Sequence, residues 1–234
     1  MKKSMLFFTL MTAMLIPPGA LGMTSFDFPE VDPVISHVEG SVLVKKDGAP
    51  GWEAAEVGRL LASGDTLRTE VSSKAEISFA TGKVRLYENT AIIIPEVVDE
   101  GDKRDIRWMD LDEGTSLFKI KKRGVEKGFE VLTSNIAAGV KGTLFAVSYA
   151  KKENYSRVAV YVGVVEVTDI DRTPETRTLL RRGDFVEIKD RSGFEQVGEF
   201  EPDDVWWQWQ KLDSLILKPP KPPREEPSGD GHHH

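Results

Sequence analysis

From Ile35 to Ile188 apolar residues recur at every second position in short runs, the spacing that puts the side chains of an extended chain on one face. Val38, Gly40, Val42 and Val44 alternate, as do Ala75, Ile77 and Phe79, and Val84 and Leu86 follow Thr81-Gly82. The rhythm returns in Phe129, Val131 and Thr133, in Phe145 and Val147, in Val158, Val160 and Val162, and in Val165 and Val167. Turn residues separate the runs. No long helix fits here, because Gly58 and Gly64 leave Arg59 to Leu61 room for one short turn. The expected fold is a single all-β domain over residues 35–200, its short strands closing as a sandwich, a roll or a solenoid-like stack.

An internal echo suggests pseudo-repeated halves. Gly40-x-Val42-x-Val44 leads to Leu61-x-x-Gly64-Asp65, and Gly163-x-Val165-x-Val167 leads to Leu180-x-x-Gly183-Asp184. In each copy the aspartate after the glycine is expected to accept hydrogen bonds from its own turn. A hard cation needs six or more oxygens, and no dense acidic loop surrounds Asp65 or Asp184. Gly142 and Thr143 precede Phe145 and Val147 without the spacing of a phosphate loop. Glycine there is expected to permit a bulge or a close backbone crossing before Phe145 enters the core.

The ends follow different rules. Lys2 and Lys3, the apolar run Met5 to Ile16, the break at Pro17-Pro18-Gly19 and the small-residue site Ala20-Leu21-Gly22 have the layout of a secretory signal peptide over residues 1–22. Residues 23–34 read as a linker. Export to the periplasm or beyond is expected, with no integral membrane span after cleavage, since no later stretch is apolar enough. After Pro202, Val205, Trp209, Leu212 and Ile216 fall at helical spacing, so residues 201–218 read as one C-terminal amphipathic helix. Residues 219–234 form a proline-rich tail without a core, and its three terminal histidines carry no metal reading.

With no cysteine there is neither a disulfide framework nor a thiol nucleophile. His37 is the only histidine before the terminal three, and no Gly-x-Ser-x-Gly elbow occurs. No catalytic residue, cofactor or metal is therefore assigned, and the chain reads as a non-enzyme. A net charge of −7 with both signs interspersed argues against nucleic-acid binding. Two features remain for contact with an envelope protein or an envelope glycan. One is the basic run with Lys119, Lys121, Lys122, Arg123 and Lys127, expected as a hairpin tip between strands ending near Ile120 and beginning near Phe129. The other is the tryptophan cluster: Trp209 belongs to the helix stripe, Trp206 flanks it, and Trp207 points away from it. The sequence sets no oligomeric state.

Taken in order, Gly40-x-Val42-x-Val44, Trp52, Gly58-x-x-Leu61-x-x-Gly64-Asp65-x-Leu67-x-Thr69 and Ala75-x-Ile77-x-Phe79-x-x-Gly82 resemble the FecR-like domain family. So do Phe129-x-Val131-x-Thr133, Ala137, Val140-x-Gly142-Thr143-x-Phe145-x-Val147, Val160-x-x-Gly163-x-Val165-x-Val167 and Leu180-x-x-Gly183-Asp184. The resemblance implies an all-β periplasmic module without catalytic residues. The family also contains membrane-spanning regulators whose cytoplasmic segment works with a sigma factor. The expected signal peptide takes that segment's place here, which implies a stand-alone envelope form acting as a binding or scaffold module.

Overall fold

The computed structural model describes residues 32–100, 103–121, 128–171, 175–189 and 193–199. The expected signal peptide, the C-terminal helix and the tail lie outside these residues. Every regular element described is a strand.

One long strand organises the rest. It runs from Trp108 to Ile120 (β10) and turns at Gly114, where φ is +96°. Its first half pairs with Ala91–Ile93 (β7) and, in parallel, with Phe129–Leu132 (β11). The second half pairs with Gly82–Leu86 (β6) and Leu144–Ala150 (β13). A Cβ on Gly114 would lie 2.4 Å from Thr90 Oγ1, so both backbone geometry and space demand glycine at the bend.

Two leaves grow outward from this shared strand. In leaf A, β6 pairs with Lys74–Phe79 (β5), and β5 with Val34–Glu39 (β1). On its other side β13 pairs with Tyr155–Val162 (β14), followed by Asp184–Lys189 (β17) and Phe194–Glu199 (β18). In leaf B, β7 is followed by Thr66–Thr69 (β4), Val42–Lys45 (β2) and the short Glu53–Ala54 (β3). Beyond β11 come Ile136–Val140 (β12), Val164–Asp169 (β15) and Thr176–Arg181 (β16). Val97–Glu100 (β8) and Lys103–Ile106 (β9) form a separate hairpin.

The leaves close on one core. Phe129 of leaf B stacks on Phe79 of leaf A at 5.6 Å between ring centres and meets Phe118 at 6.1 Å, and Phe118 stacks on Phe145 at 5.2 Å. The period-two residues Ile35, Val44, Ala75, Ile77, Val84, Val131, Val147, Val158, Val165 and Val167 all face this core. The architecture is a two-leaf sandwich, with the echoed strands β2 and β15 toward opposite ends of leaf B.

The two Gly-Asp turns are built alike. Ala62 N–H donates to Asp65 Oδ2 at 3.0 Å and Arg181 N–H to Asp184 Oδ2 at 2.7 Å, while Gly64 and Gly183 sit at φ +83° and +91°. They differ in the strand each leads into. After Asp65 the chain stays in leaf B as β4, whereas Asp184 opens β17 in leaf A.

One expectation is corrected. The basic run after Ile120 is not a hairpin tip, because β10 and β11 pair in parallel through Trp108↔Glu130 and Met109↔Val131. β10 ends paired in leaf A, and β11 begins in leaf B.

Candidate interaction surfaces

The strands change leaf at glycine corners. Gly142 (φ +79°) carries the chain from β12 to β13, and Gly163 (φ +91°) carries it from β14 to β15. The corners stack: a Cβ on Gly163 would lie 2.9 Å from the Gly142 carbonyl oxygen. Thr143 ties them together, its hydroxyl donating to Val164 O at 3.0 Å while its backbone exchanges hydrogen bonds with Ile120. Phe145, two residues on, is fully buried. This corner is architecture.

A second buried polar group fastens the opposite end. Ser156 Oγ donates to Asn135 Oδ1 at 2.6 Å, and Asn135 Nδ2 donates to Asn154 O at 2.8 Å. Thr133 Oγ1 lies 2.9 Å from both Asn135 Oδ1 and Ser156 Oγ. The loop between β11 and β12 is thereby tied to the hairpin of β13 and β14, one in each leaf. His37 offers no catalytic partner to its neighbour: Ser36 Oγ donates to Glu76 Oε1 at 3.1 Å, and His37 Nε2 stands 4.0 Å from Glu39. Among the described residues no group of three or more His, Asp or Glu side chains is placed to hold a metal ion.

Leaf B presents an open apolar edge. Val164 and Leu179 are 44% and 53% exposed, on the face turned from the core. The pairs Val164↔Arg181 and Glu166↔Leu179 make them diagonal neighbours. Arg177, Arg181 and Glu166 surround them, and β16 pairs with β15 alone among the described strands. At the far end of the same leaf Trp52 is 38% exposed, with the Arg68 guanidinium 4.4 Å over its ring.

Leaf A differs on its outer face. Glu76 carries Lys83 at 2.7 Å and Arg85 at 3.0 Å, and the side chains of Glu76 and Arg85 are only 6% and 3% exposed. Burial pushes the Glu76 carboxyl up, but the hydrogen bonds and charges of Lys83 and Arg85 overcome that and hold it below the ordinary glutamate range. Burial also pulls the Lys119 ammonium down, helped by the charge of Lys83 and opposed by that of Glu76. Beside this group Leu117, Leu144, Ala146 and Tyr161 form a second buried apolar cluster, with Tyr87 against it. Burial raises the Tyr87 hydroxyl to about 12, against the pull of Arg85.

Comparison with known proteins gives one family match, over part of the chain. Residues 65–166 match the family model described as FecR protein, a span that begins at the first Gly-Asp turn and ends within β15. That stretch is similar to a FecR domain. The match takes in all of β10 and the corners at Gly114, Gly142 and Gly163, leaving the outermost strands of both leaves beyond it. Two crystal structures of a proposed anti-sigma factor from Parabacteroides distasonis ATCC 8503 share the fold. One has a TM-score of 0.51 at 21% identity, covering 62% of this chain and 65% of that one. The other has 0.50 at 20%, covering 62% and 64%. The match thus spans less than two thirds of those chains. No curated protein matches.

Of the contact residues expected from sequence, Trp206, Trp207, Lys122 and Arg123 lie outside the described residues. Lys121 is described, half-buried, its backbone N–H donating to Thr81 O at 2.8 Å. The leaf B edge and the covered face of leaf A were missed by the sequence reading. A signal for the latter exists in Leu117-Phe118 and Leu144-Phe145, since adjacent apolar residues break the period of two and mark strands buried on both faces.

Proposed function

We propose that the protein is a non-catalytic module of the cell envelope, periplasmic or extracellular, that serves envelope sensing or signalling by binding another envelope protein. The family match supports the signalling part, because FecR-like regulators act through protein partners. The observation that carries the binding part is the exposed pair Val164 and Leu179 beside the open edge of β16. An open strand edge flanked by apolar and arginine side chains suits a partner that adds an extended segment. Trp206 and Trp207, with Lys121, Lys122 and Arg123, are the further contact candidates.

The test is retention of envelope proteins on the immobilised mature chain, run beside co-sedimentation with peptidoglycan and exopolysaccharide. Saturable retention of a defined protein, lost in Leu179→Asp and weakened in Trp207→Ala with folding unchanged, supports the reading. Co-sedimentation with polysaccharide and no protein retained would overturn it in favour of a glycan-binding module.

A further inference from the structure

The outer face of leaf A is buried like a core. Leu117, Ala146 and Ala159 are 0%, 6% and 9% exposed although their register places them opposite the core residues Phe118, Phe145 and Val158. The solvent side of an antiparallel leaf is ordinarily polar and open. The described strands belong to the two leaves or to the β8–β9 hairpin, and that hairpin joins the inner core through Val97 and Ile106.

Register draws the covered face as one row across the leaf. Gly198 pairs with Phe185, Phe185 with Ala159, Ala159 with Ala146, Ala146 with Leu117, and Leu117 with Arg85. The row starts on β18, one residue before Glu199, where the described chain ends, and finishes on β6. The Phe185 ring leans over Gly198, and Ala159 and Ala146 then leave a low floor walled by Leu144 and Tyr161. Five strand spacings separate β18 from β6, about 24 Å at roughly 4.8 Å each. Residues 202–217, as a helix, rise about 24 Å.

We propose that the C-terminal segment 202–217 lies as a helix across this row, with Val205, Trp209, Leu212 and Ile216 seated on Ala159, Ala146 and Leu117. The segment comes directly after β18, is about as long as the row, carries one apolar stripe, and needs a partner for it. Trp207 and Ser214 then face solvent, about 180° around the helix. The seat does not depend on binding of an envelope protein at the leaf B edge.

The chain has no cysteine, so paired substitutions report proximity cleanly. Ala146→Cys or Ala159→Cys is combined, in the full mature chain, with cysteine at 205, 209, 212 or 216, or at 207 or 214 as the opposite face. Oxidation requires Cβ atoms about 3.5–4.5 Å apart. The expected result is intrachain disulfides at stripe positions, at least tenfold faster than at 207 or 214, with amides of residues 205–216 in the unsubstituted protein exchanging at least tenfold more slowly than an unstructured chain. Disulfides that form equally around the helix, or only between two chains, would overturn the proposal. So would exchange at the unstructured rate.

Discussion

Gly163 passes Gly142 so closely that a β-carbon on the former would sit 2.9 Å from the carbonyl oxygen of the latter. The two corners by which the chain leaves and re-enters leaf B are thus packed backbone to backbone, and Thr143 seals them by donating to Val164 O. The glycine requirement has two separable parts. One is the positive φ, and the other is the missing side chain.

The two parts predict different costs. Gly48, at φ +65°, has nothing within 4 Å of where its Cβ would be, so Gly48→Ala carries the conformational penalty alone, about 1–2 kcal/mol. Gly163→Ala adds a backbone collision and should cost about 2–5 kcal/mol. Urea denaturation of the two variants measures the difference. Equal midpoints would mean that the corners separate without cost.

The paired Gly-Asp turns predict a second asymmetry. Asp65 is buried and accepts from Ala62 N–H and, at 3.3 Å, from Asp47 N–H, whereas Asp184 is reachable by solvent and accepts from Arg181 N–H. Asp65→Ala strands buried donors and is expected to cost about 1–3 kcal/mol, and Asp184→Ala about 0.5–1.5 kcal/mol. Thermal unfolding of both variants checks the order, and a larger loss at Asp184 would contradict it.

Phe145→Ala should cost about 3–5 kcal/mol, because Phe145 is fully buried against Phe118. An unchanged denaturation midpoint would place its side chain outside the core. The core phase of this strand was legible from Phe145 and Val147, even though Leu144 and Ala146 bury its other face as well. The Gly-Asp turns were legible because an aspartate three residues after its donor closes the turn locally. The shared strand β10 was not: its partners range from Gly82 to Tyr149, and nothing between Glu113 and Thr115 except Gly114 marks the change of leaf. The basic run misled for the same reason. Ile120 and Phe129 are close in sequence, yet they flank strands that pair in parallel, and a sequence pattern carries register only where a tight turn fixes it.

The Glu76 cluster predicts an acid limb in the stability curve. Its carboxyl is held below the ordinary range in the folded chain by Lys83 and Arg85, so the unfolded state binds the proton more readily and stability falls as pH falls. The contribution is fully present above the unfolded value of about 4.3 and is lost as pH drops through the lower folded value. Glu76→Gln keeps the shape and removes the charge, leaving Arg85, whose side chain is 3% exposed, beside a neutral amide. Breaking a buried pair from one side is expected to cost about 3–5 kcal/mol at pH 7. The same substitution should flatten the curve below about pH 4.3. Urea midpoints at pH 7, 5 and 3 for parent and variant test both effects. If the two curves stay parallel down to pH 3, the acid sensitivity of the parent belongs to other carboxylates and the cluster's charge is no part of it.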